Sequence, residues 1–376
     1  MQNPSTVKTR LASLDFFRGV TVASMILVNN PGDWGNIYAP LEHSKWNGCT
    51  PTDLVFPFFL FIVGVSINYA IGDKRLDPGQ HRKLLLHASR RALTLFGLAL
   101  LLTLIPAFDF STMRILGVLQ RIAIVFFICA VLYIKTSSKT QIRLFAGLLI
   151  GYFLVMTLVP VPGVGPSNLE PGTNLAAWLD TIILTPKHMW SGTKTWDPEG
   201  ILSTFPAIAT CIFGMRVGGF LRRKDLAEGD KIAWLFTVAA LAIVAGLVWN
   251  GFFPMNKALW TSSFVLFTGG LATAALSLSY WLIDVQHRRR FTEPFVAFGS
   301  NAITVYVASG LIPLGLSYIK ITTPGGKQPL TQYLYETLFA HHLAPINASL
   351  ASALAYVIIL SIPLWWMYKR KIFIKI

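Results

Sequence analysis

Ten apolar runs dominate this chain, each close to the roughly 20 residues an α-helix needs to cross the hydrocarbon core of a bilayer. They fall near residues 13–30, 52–71, 86–106, 114–134, 142–160, 200–220, 232–250, 259–283, 294–318 and 346–368. Unpaired backbone groups are too costly to expose to lipid, so only helices or a closed barrel can span it. The runs are far longer than barrel strands. The expected fold is therefore all-α, a polytopic membrane bundle of about 10 transmembrane helices. Composition agrees, with 13% of residues charged against about a quarter in soluble domains. Pro57, Pro206 and Pro313 fall within runs, where neighbouring helices satisfy the freed groups. One transmembrane domain over 1–376 is expected, with an extramembrane loop region near 161–199 whose "NLAAWLDTIIL" reads as a short interfacial helix.

The net charge is +15, yet its distribution points away from nucleic acid. Of the 32 Lys and Arg residues, 20 lie in one alternating set of loops and tails, from Lys8 and Arg10 to Lys371 and Lys375. The opposite set holds six: Lys45, Lys187, Lys194, Lys257, Lys320 and Lys327. Such an asymmetry over short loops orients a membrane protein, here with both termini cytoplasmic and residues 31–51 outside. The implied partner is the lipid bilayer. Cys129 and Cys211 lie in apolar runs and Cys49 in a loop, a pattern that suggests neither a disulfide framework nor a metal site.

Ionisable groups inside spans are costly, and each asks for a reason. Asp15 and Arg18 share a helix face near the cytoplasmic end of the first span, as a local ion pair or as an anion site. Arg90 and Arg91 sit just inside the third span, where their stems can snorkel to lipid phosphates. Gln120 and Arg121 lie deeper, in "ILGVLQRIAIVFF", and Arg121 cannot readily shed its charge. Ser300 and Asn301, in "GSNAITVY", are polar residues of the kind that join helices. On the external side, "LEHSKWNGCTPTDLVFPFF" crowds His43, Trp46, Asn47 and Asp53 before the second span. Asp53 complements a helix N-terminus and is also placed to orient an imidazole. Asn29 and Asn30 close the first span on the same side, and Asp197 and Glu199 open the sixth.

These stretches together resemble one family. The carriers are "RLASLDFFRGVTVASMILVNNPG", "HSKWNGCTPTDLVFPFFLFIVG", "RILGVLQRIA", "WDPEGILSTFPAIATCIFGM", "NKALWTSSFVLFTGGLA" and "PFVAFGSNAITVYV", in that order from residue 10 to about 306. The set is similar to the transmembrane acetyltransferases of the heparan-α-glucosaminide N-acetyltransferase family. It looks like their short bacterial, amino-sugar-related form, without the large luminal N-terminal domain of the lysosomal enzyme. The resemblance implies an integral protein of the bacterial inner membrane. Acetyl-CoA would be supplied as co-substrate on the cytoplasmic side, and its acetyl group delivered to the amine of a glucosamine-type sugar outside.

The resemblance also implies roles. His43 matches the family's catalytic His, in a His-x-x-Trp-Asn-Gly setting, and Asn29 its active-site Asn. As a physical proposal, His43 is the base, Asp53 orients it, and Asn29 donates to the thioester oxygen. An acetyl-histidine intermediate is the rival. Arg18, Arg90 and Arg91, with Gln120 and Arg121 further along, are candidates for holding acetyl-CoA, and Ser300 and Asn301 for its adenine or pantetheine part. Trp46, Asn47, Asp197, Glu199, Asn256 and Trp260 are candidates for the sugar. In the plainer reading, Trp46 and Trp260 belong to an interfacial aromatic belt. A secondary transporter for an amino sugar is the alternative function. It predicts a midplane site at a repeat interface, and the sequence shows no strong repeat. The apolar surfaces are compatible with a homodimer.

Overall fold

The computed structural model of the protein describes residues 11–290, 292–324 and 326–374. Lys8, Arg10 and Lys375 of the charge map lie outside the described residues. The chain runs α1 (Ala12–Asn29), α2 (Val55–Ile71), α3 (Pro78–Leu104), α4 (Val118–Lys135), α5 (Ser138–Leu158) and the short α6 (Leu175–Ile183). It continues through α7 (Thr204–Leu221), α8 (Glu228–Asn250), α9 (Ser262–Tyr280), α10 (Glu293–Ser300) and α11 (Ala302–Tyr318). A hairpin, β1 (Lys320–Thr323) with β2 (Gly326–Pro329), then leads to α12 (Leu330–Tyr335) and α13 (Pro345–Lys369). Among the described residues, nine helices are long and apolar enough to cross a membrane, and α10 with α11 makes a tenth if counted as one bent span. The protein is an all-α integral membrane bundle.

Helices in lipid gain little from hydrophobicity against one another, so close packing must hold them together. At the centre, α2 and α7 meet through glycines. Gly214 and Gly218, four residues apart on α7, lie against Phe61 and Val65, and Gly64 of α2 lies against Cys211 and Met215. A Cβ on Gly64 would fall 2.8 Å from Met215 N, so only glycine lets these backbones approach this closely. α1 and α10 meet in the same way, with a Cβ on Gly299 falling 3.0 Å from Gly19 N. Around the α2–α7 seam, Leu60, Ile67, Ile212, Met215, Trp260 and Phe264 are buried in one cluster.

Two expected spans differ in form. The run from 114 begins its helix only at Val118, because Arg114 is drawn into ion pairs with Asp197 and Glu199, and Ile115 N bonds to His188 O. The run 294–318 is not one helix: α10 and α11 meet at 82°. The bend falls at Asn301, whose side chain donates to Ile372 O (3.1 Å) and accepts from Ile374 N (2.9 Å). Small polar side chains compete with the helical ladder for backbone groups. Here the competing backbone is the chain's last described segment. "NLAAWLDTIIL" forms α6, capped by Asn174, whose side chain accepts from Ala177 N (3.0 Å). The segment containing α6 lies over the end of the bundle opposite the termini, where Trp46 Nε1 donates to Leu169 O (2.9 Å).

Candidate active site

A cavity of about 520 Å³ opens at that end of the bundle, and His43 and Asp53 are in its wall. Asp53 sits in a single 3-10 turn (Pro51–Leu54) that feeds α2. Its Oδ2 accepts from Thr50 N (3.1 Å) and Ser44 N (3.0 Å), which leaves Oδ1 to meet His43 Nδ1 at 2.7 Å. The first bond is one half of a capping box, a local consequence of the Thr-Pro-Thr-Asp sequence. A carboxylate has only lone pairs, so Nδ1 must carry the proton and Nε2 is left with its lone pair. Asp53 is wholly buried whereas the His43 side chain is half exposed. The arrangement is an oriented imidazole whose basic nitrogen is accessible, which is what a general base requires.

Lys257 completes this cluster, although it is not among the site candidates of the sequence. Its Nζ lies 3.1 Å from His43 Nδ1, 3.3 Å from Nε2 and 3.6 Å from Asp53 Oδ1. It is brought there by two turns that grip each other. Gly48, at φ +124°, gives its N–H to Met255 O (2.7 Å), and Asn256 Nδ2 donates to Asn47 Oδ1 (3.2 Å). Burial holds the Lys257 ammonium below its ordinary range, against the opposing pull of Asp53 and Glu199. Burial likewise pushes the nearby Cys49 thiol up to about 12, so it is inert as a nucleophile at neutral pH.

Across the cavity, Arg114 binds Asp197 with two nitrogens (2.9 and 2.5 Å) and Glu199 with one (2.5 Å). Burial works against its charge, but the two carboxylates more than offset it and raise the guanidinium further. Glu199 and Arg114 line the cavity, whereas Asp197 is buried behind them. Beneath this pair, Asp180 is pushed up to about 6, by burial first and then by the neighbouring charge of Asp197. Trp46, Trp190 and Trp196 form an aromatic wall, with ring centroids 5.0 Å apart for Trp46 and Trp196 and 6.3 Å for Trp190 and Trp196. Asn29 also lines this cavity, while Asn30 turns back to Ile26 O as a cap.

A second cavity, of about 690 Å³, opens toward the end that carries the chain termini. Arg18, Lys74, Lys83 and Arg91 line it, together with Ser66, Ser300 and Phe373. Arg18 pairs with Asp15 (3.0 Å) and donates to Ser66 Oγ (2.7 Å), and Arg91 lies over the ring of Phe126. The two cavities share a wall of Phe59, Leu119, Ile122, Ala302 and Ile303. They thus abut across one apolar partition, immediately beyond the bend at Asn301.

Several sequence candidates lie elsewhere. Arg90 is exposed and outside both linings. Gln120 and Arg121 are buried on a face of α4 turned away from the cavities. Arg121 donates to Ser203 Oγ and Gly200 O and lies over Trp260, with Nε and Nη1 lacking partners among the described residues. Trp260 is fully buried, its N–H on Thr210 Oγ1 (3.0 Å), so it joins neither the cavity nor an interfacial belt. Asn47 and Asn256 lock the loop that carries Lys257, and Asn301 clamps the tail; none of the three lines a cavity. Sequence reasoning passed over Lys257, Arg114, Trp190, Trp196 and Tyr306, all lining the His43 cavity. All but Trp190 lie in the stretches that carry the resemblance, and the two tryptophans also stand out as aromatics in a polar loop.

The family model described as heparan-alpha-glucosaminide N-acetyltransferase, catalytic, matches residues 10–246. Heparan-alpha-glucosaminide N-acetyltransferase of Homo sapiens is 29% identical over 357 residues, covering 81% of this chain and 53% of the human protein. The Mus musculus protein of the same name is 29% identical over 350 residues, covering 79% of this chain and 53% of its own length. The chain spans about half the length of the curated relatives it matches.

Proposed function

Because the chain belongs to the heparan-alpha-glucosaminide N-acetyltransferase catalytic family, we propose that it carries acetyl from acetyl-CoA to the amine of a glucosamine-type sugar across a membrane. The termini end faces the cytoplasm, as the charge map has it, and the membrane is a bacterial inner membrane. The observation that carries this reading is the pair of abutting cavities, one rimmed by cations and the other holding an oriented imidazole. A nucleotide needs a donor-rich basic pocket, which Arg18, Arg91, Lys74 and Lys83 supply. The pantetheine arm is slender and uncharged, and it passes the partition of Phe59, Leu119, Ile122, Ala302 and Ile303. Its thioester then meets His43 from below, while the sugar covers the tryptophans from above.

An amino sugar is largely ammonium near neutral pH and cannot attack in that form. His43 Nε2 takes the proton, and Asp53 keeps the ring in the tautomer that can do so. The freed amine attacks the thioester carbon, and Asn29 donates to the oxygen as charge develops there. The nitrogen loses its second proton to solvent as the tetrahedral species collapses, and the thiolate leaves with the proton returned by the imidazole. Glu199, beside the tryptophans, accepts hydrogen bonds from the sugar. The test is purified protein in detergent with acetyl-CoA and glucosamine, read as free thiol and N-acetylglucosamine. A transporter gives neither, since detergent abolishes compartments. His43→Ala should lower turnover by about 10² to 10⁴. Product formation unchanged in that variant refutes the assignment.

A further inference from the structure

Lys257 is a primary amine held against the imidazole that the reaction uses to deprotonate a primary amine. Its Nζ is 3.1 and 3.3 Å from the two ring nitrogens, and it lines the same cavity. Lys45 lines the cavity too, but its side chain is exposed and makes no hydrogen bond to His43. Nor does Lys257 reach the cluster by chance. Asn256, Asn47 and Gly48 fix the backbone on both sides of the contact, and Asp53 Oδ1 stands 3.6 Å from the ammonium. A nitrogen this close to both ring nitrogens lies against the imidazole between them, and a turn of the lysine stem brings it onto the Nε2 lone pair, where the acceptor's own nitrogen must sit.

We propose that Lys257 is a self-acetylation site, modified by the bound acetyl donor when no acceptor sugar fills the cavity. This rests on the acetyl-CoA reading above. In the step, the Lys257 ammonium gives one proton to His43 Nε2, and its lone pair attacks the thioester carbon. A C–N bond forms and the C–S bond breaks. The second proton leaves nitrogen as the tetrahedral species collapses and ends on the departing thiolate. The products are an amide on Lys257, the free thiol of CoA, and one proton released to solvent. Burial of Lys257, which disfavours its charged form, assists the first loss. An amide is not an acyl donor under these conditions, so the modification does not feed the reaction. It replaces the ammonium beside Asp53 with a neutral group and places an acetyl in the acceptor's space. Starved of acceptor, the enzyme closes its own site.

The test uses the full wild-type chain in detergent with trideuterioacetyl-CoA and no sugar, followed by peptide mass spectrometry after hydroxylamine, which strips acyl-imidazole and spares amides. Lys257 should take up label at least about tenfold faster than Lys45, because only its nitrogen is held at the base. An excess of glucosamine should slow it. His43→Gln should slow it about a hundredfold, the contribution of a general base. Lys257 unlabelled while glucosamine is turned over overturns this inference and leaves the acetyltransferase reading standing. No turnover of glucosamine overturns both. Label removed by hydroxylamine assigns the acetyl to His43 instead. Equal labelling of Lys45 and Lys257, or labelling indifferent to His43→Gln, reduces the modification to ordinary chemical acetylation and also overturns it.

Discussion

Replacing Asp53 with Asn separates the catalytic role proposed for the carboxylate from its structural one. The two oxygens are not equivalent. Oδ2 accepts two backbone N–H groups, from Thr50 and Ser44, while Oδ1 meets His43 Nδ1 at 2.7 Å. An Asn amide must keep its oxygen where the fixed backbone donors are, because an NH2 group there would leave two buried donors facing donors, at roughly 1–3 kcal/mol each. Its NH2 therefore takes the Oδ1 position and donates to Nδ1. The imidazole must answer with the other tautomer, proton on Nε2, and the nitrogen facing the cavity is no longer a base. The chain still folds, since the turn before α2 keeps its hydrogen bonds. Turnover should fall by about 10² to 10⁴, which is roughly 3–5 kcal/mol of transition-state stabilisation. The assay is thiol release in detergent, with thermal unfolding of the same preparation as control. Asp53→Asn turning over within about threefold of wild type while melting at the wild-type temperature refutes the reasoning, since 0.7 kcal/mol or so is too little for loss of the base.

Trp196→Ala should raise the glucosamine KM by about 3- to 10-fold, the value of an aromatic face, and leave the acetyl-CoA KM unchanged; steady-state kinetics in both substrates checks this. Ile303→Trp puts bulk into the partition shared by the cavities, so turnover should fall by more than about a hundredfold if the reacting atoms are kept apart, while CoA binding by calorimetry persists. Asp180 is pushed up to about 6 in the folded state, above its ordinary 3.8. The folded form therefore holds the proton more tightly than the unfolded one, and stability should rise as pH falls from above 6 toward 4. A gap of that size is worth on the order of 3 kcal/mol. Asp180→Asn should flatten this part of the melting-temperature profile between pH 4 and 7, and an unaltered slope would assign the effect to other groups.

The spans were legible because ten long apolar runs leave a chain no other way to satisfy its backbone, and each of them is helical. The bend at Asn301 was not legible, because its cause lies in bonds to Ile372 and Ile374 at the far end of the chain. The His43–Asp53 contact could be read because its partners are ten residues apart and share one loop. Lys257 is 214 residues from His43, and although it lies in a stretch that carries the resemblance, nothing there pairs it with the imidazole. Arg121 shows the opposite difficulty. Sequence gives depth along a span but not the direction in which a residue faces, and this arginine turns to Ser203 and Trp260 rather than to a cavity.

Charge divides the two cavities more sharply than shape does. The wall on the termini side carries Arg18, Lys74, Lys83 and Arg91 against the single carboxylate of Asp15. The wall around His43 carries Lys45, Arg114 and Lys257, and these are met by Asp53 and Glu199 with Asp197 directly behind. A polyanion is drawn to the first and gains nothing from the second. The partition between them is made of Phe, Leu, Ile and Ala side chains, through which a phosphate passes only at a prohibitive desolvation cost. The uncharged pantetheine arm of the proposed donor pays far less, since its amides and hydroxyl cost less to desolvate than a phosphate. In the proposed reaction this division lets the anionic head of the donor stay on one side while its thioester is presented on the other. On that proposal, group transfer across the membrane requires no transport of either substrate.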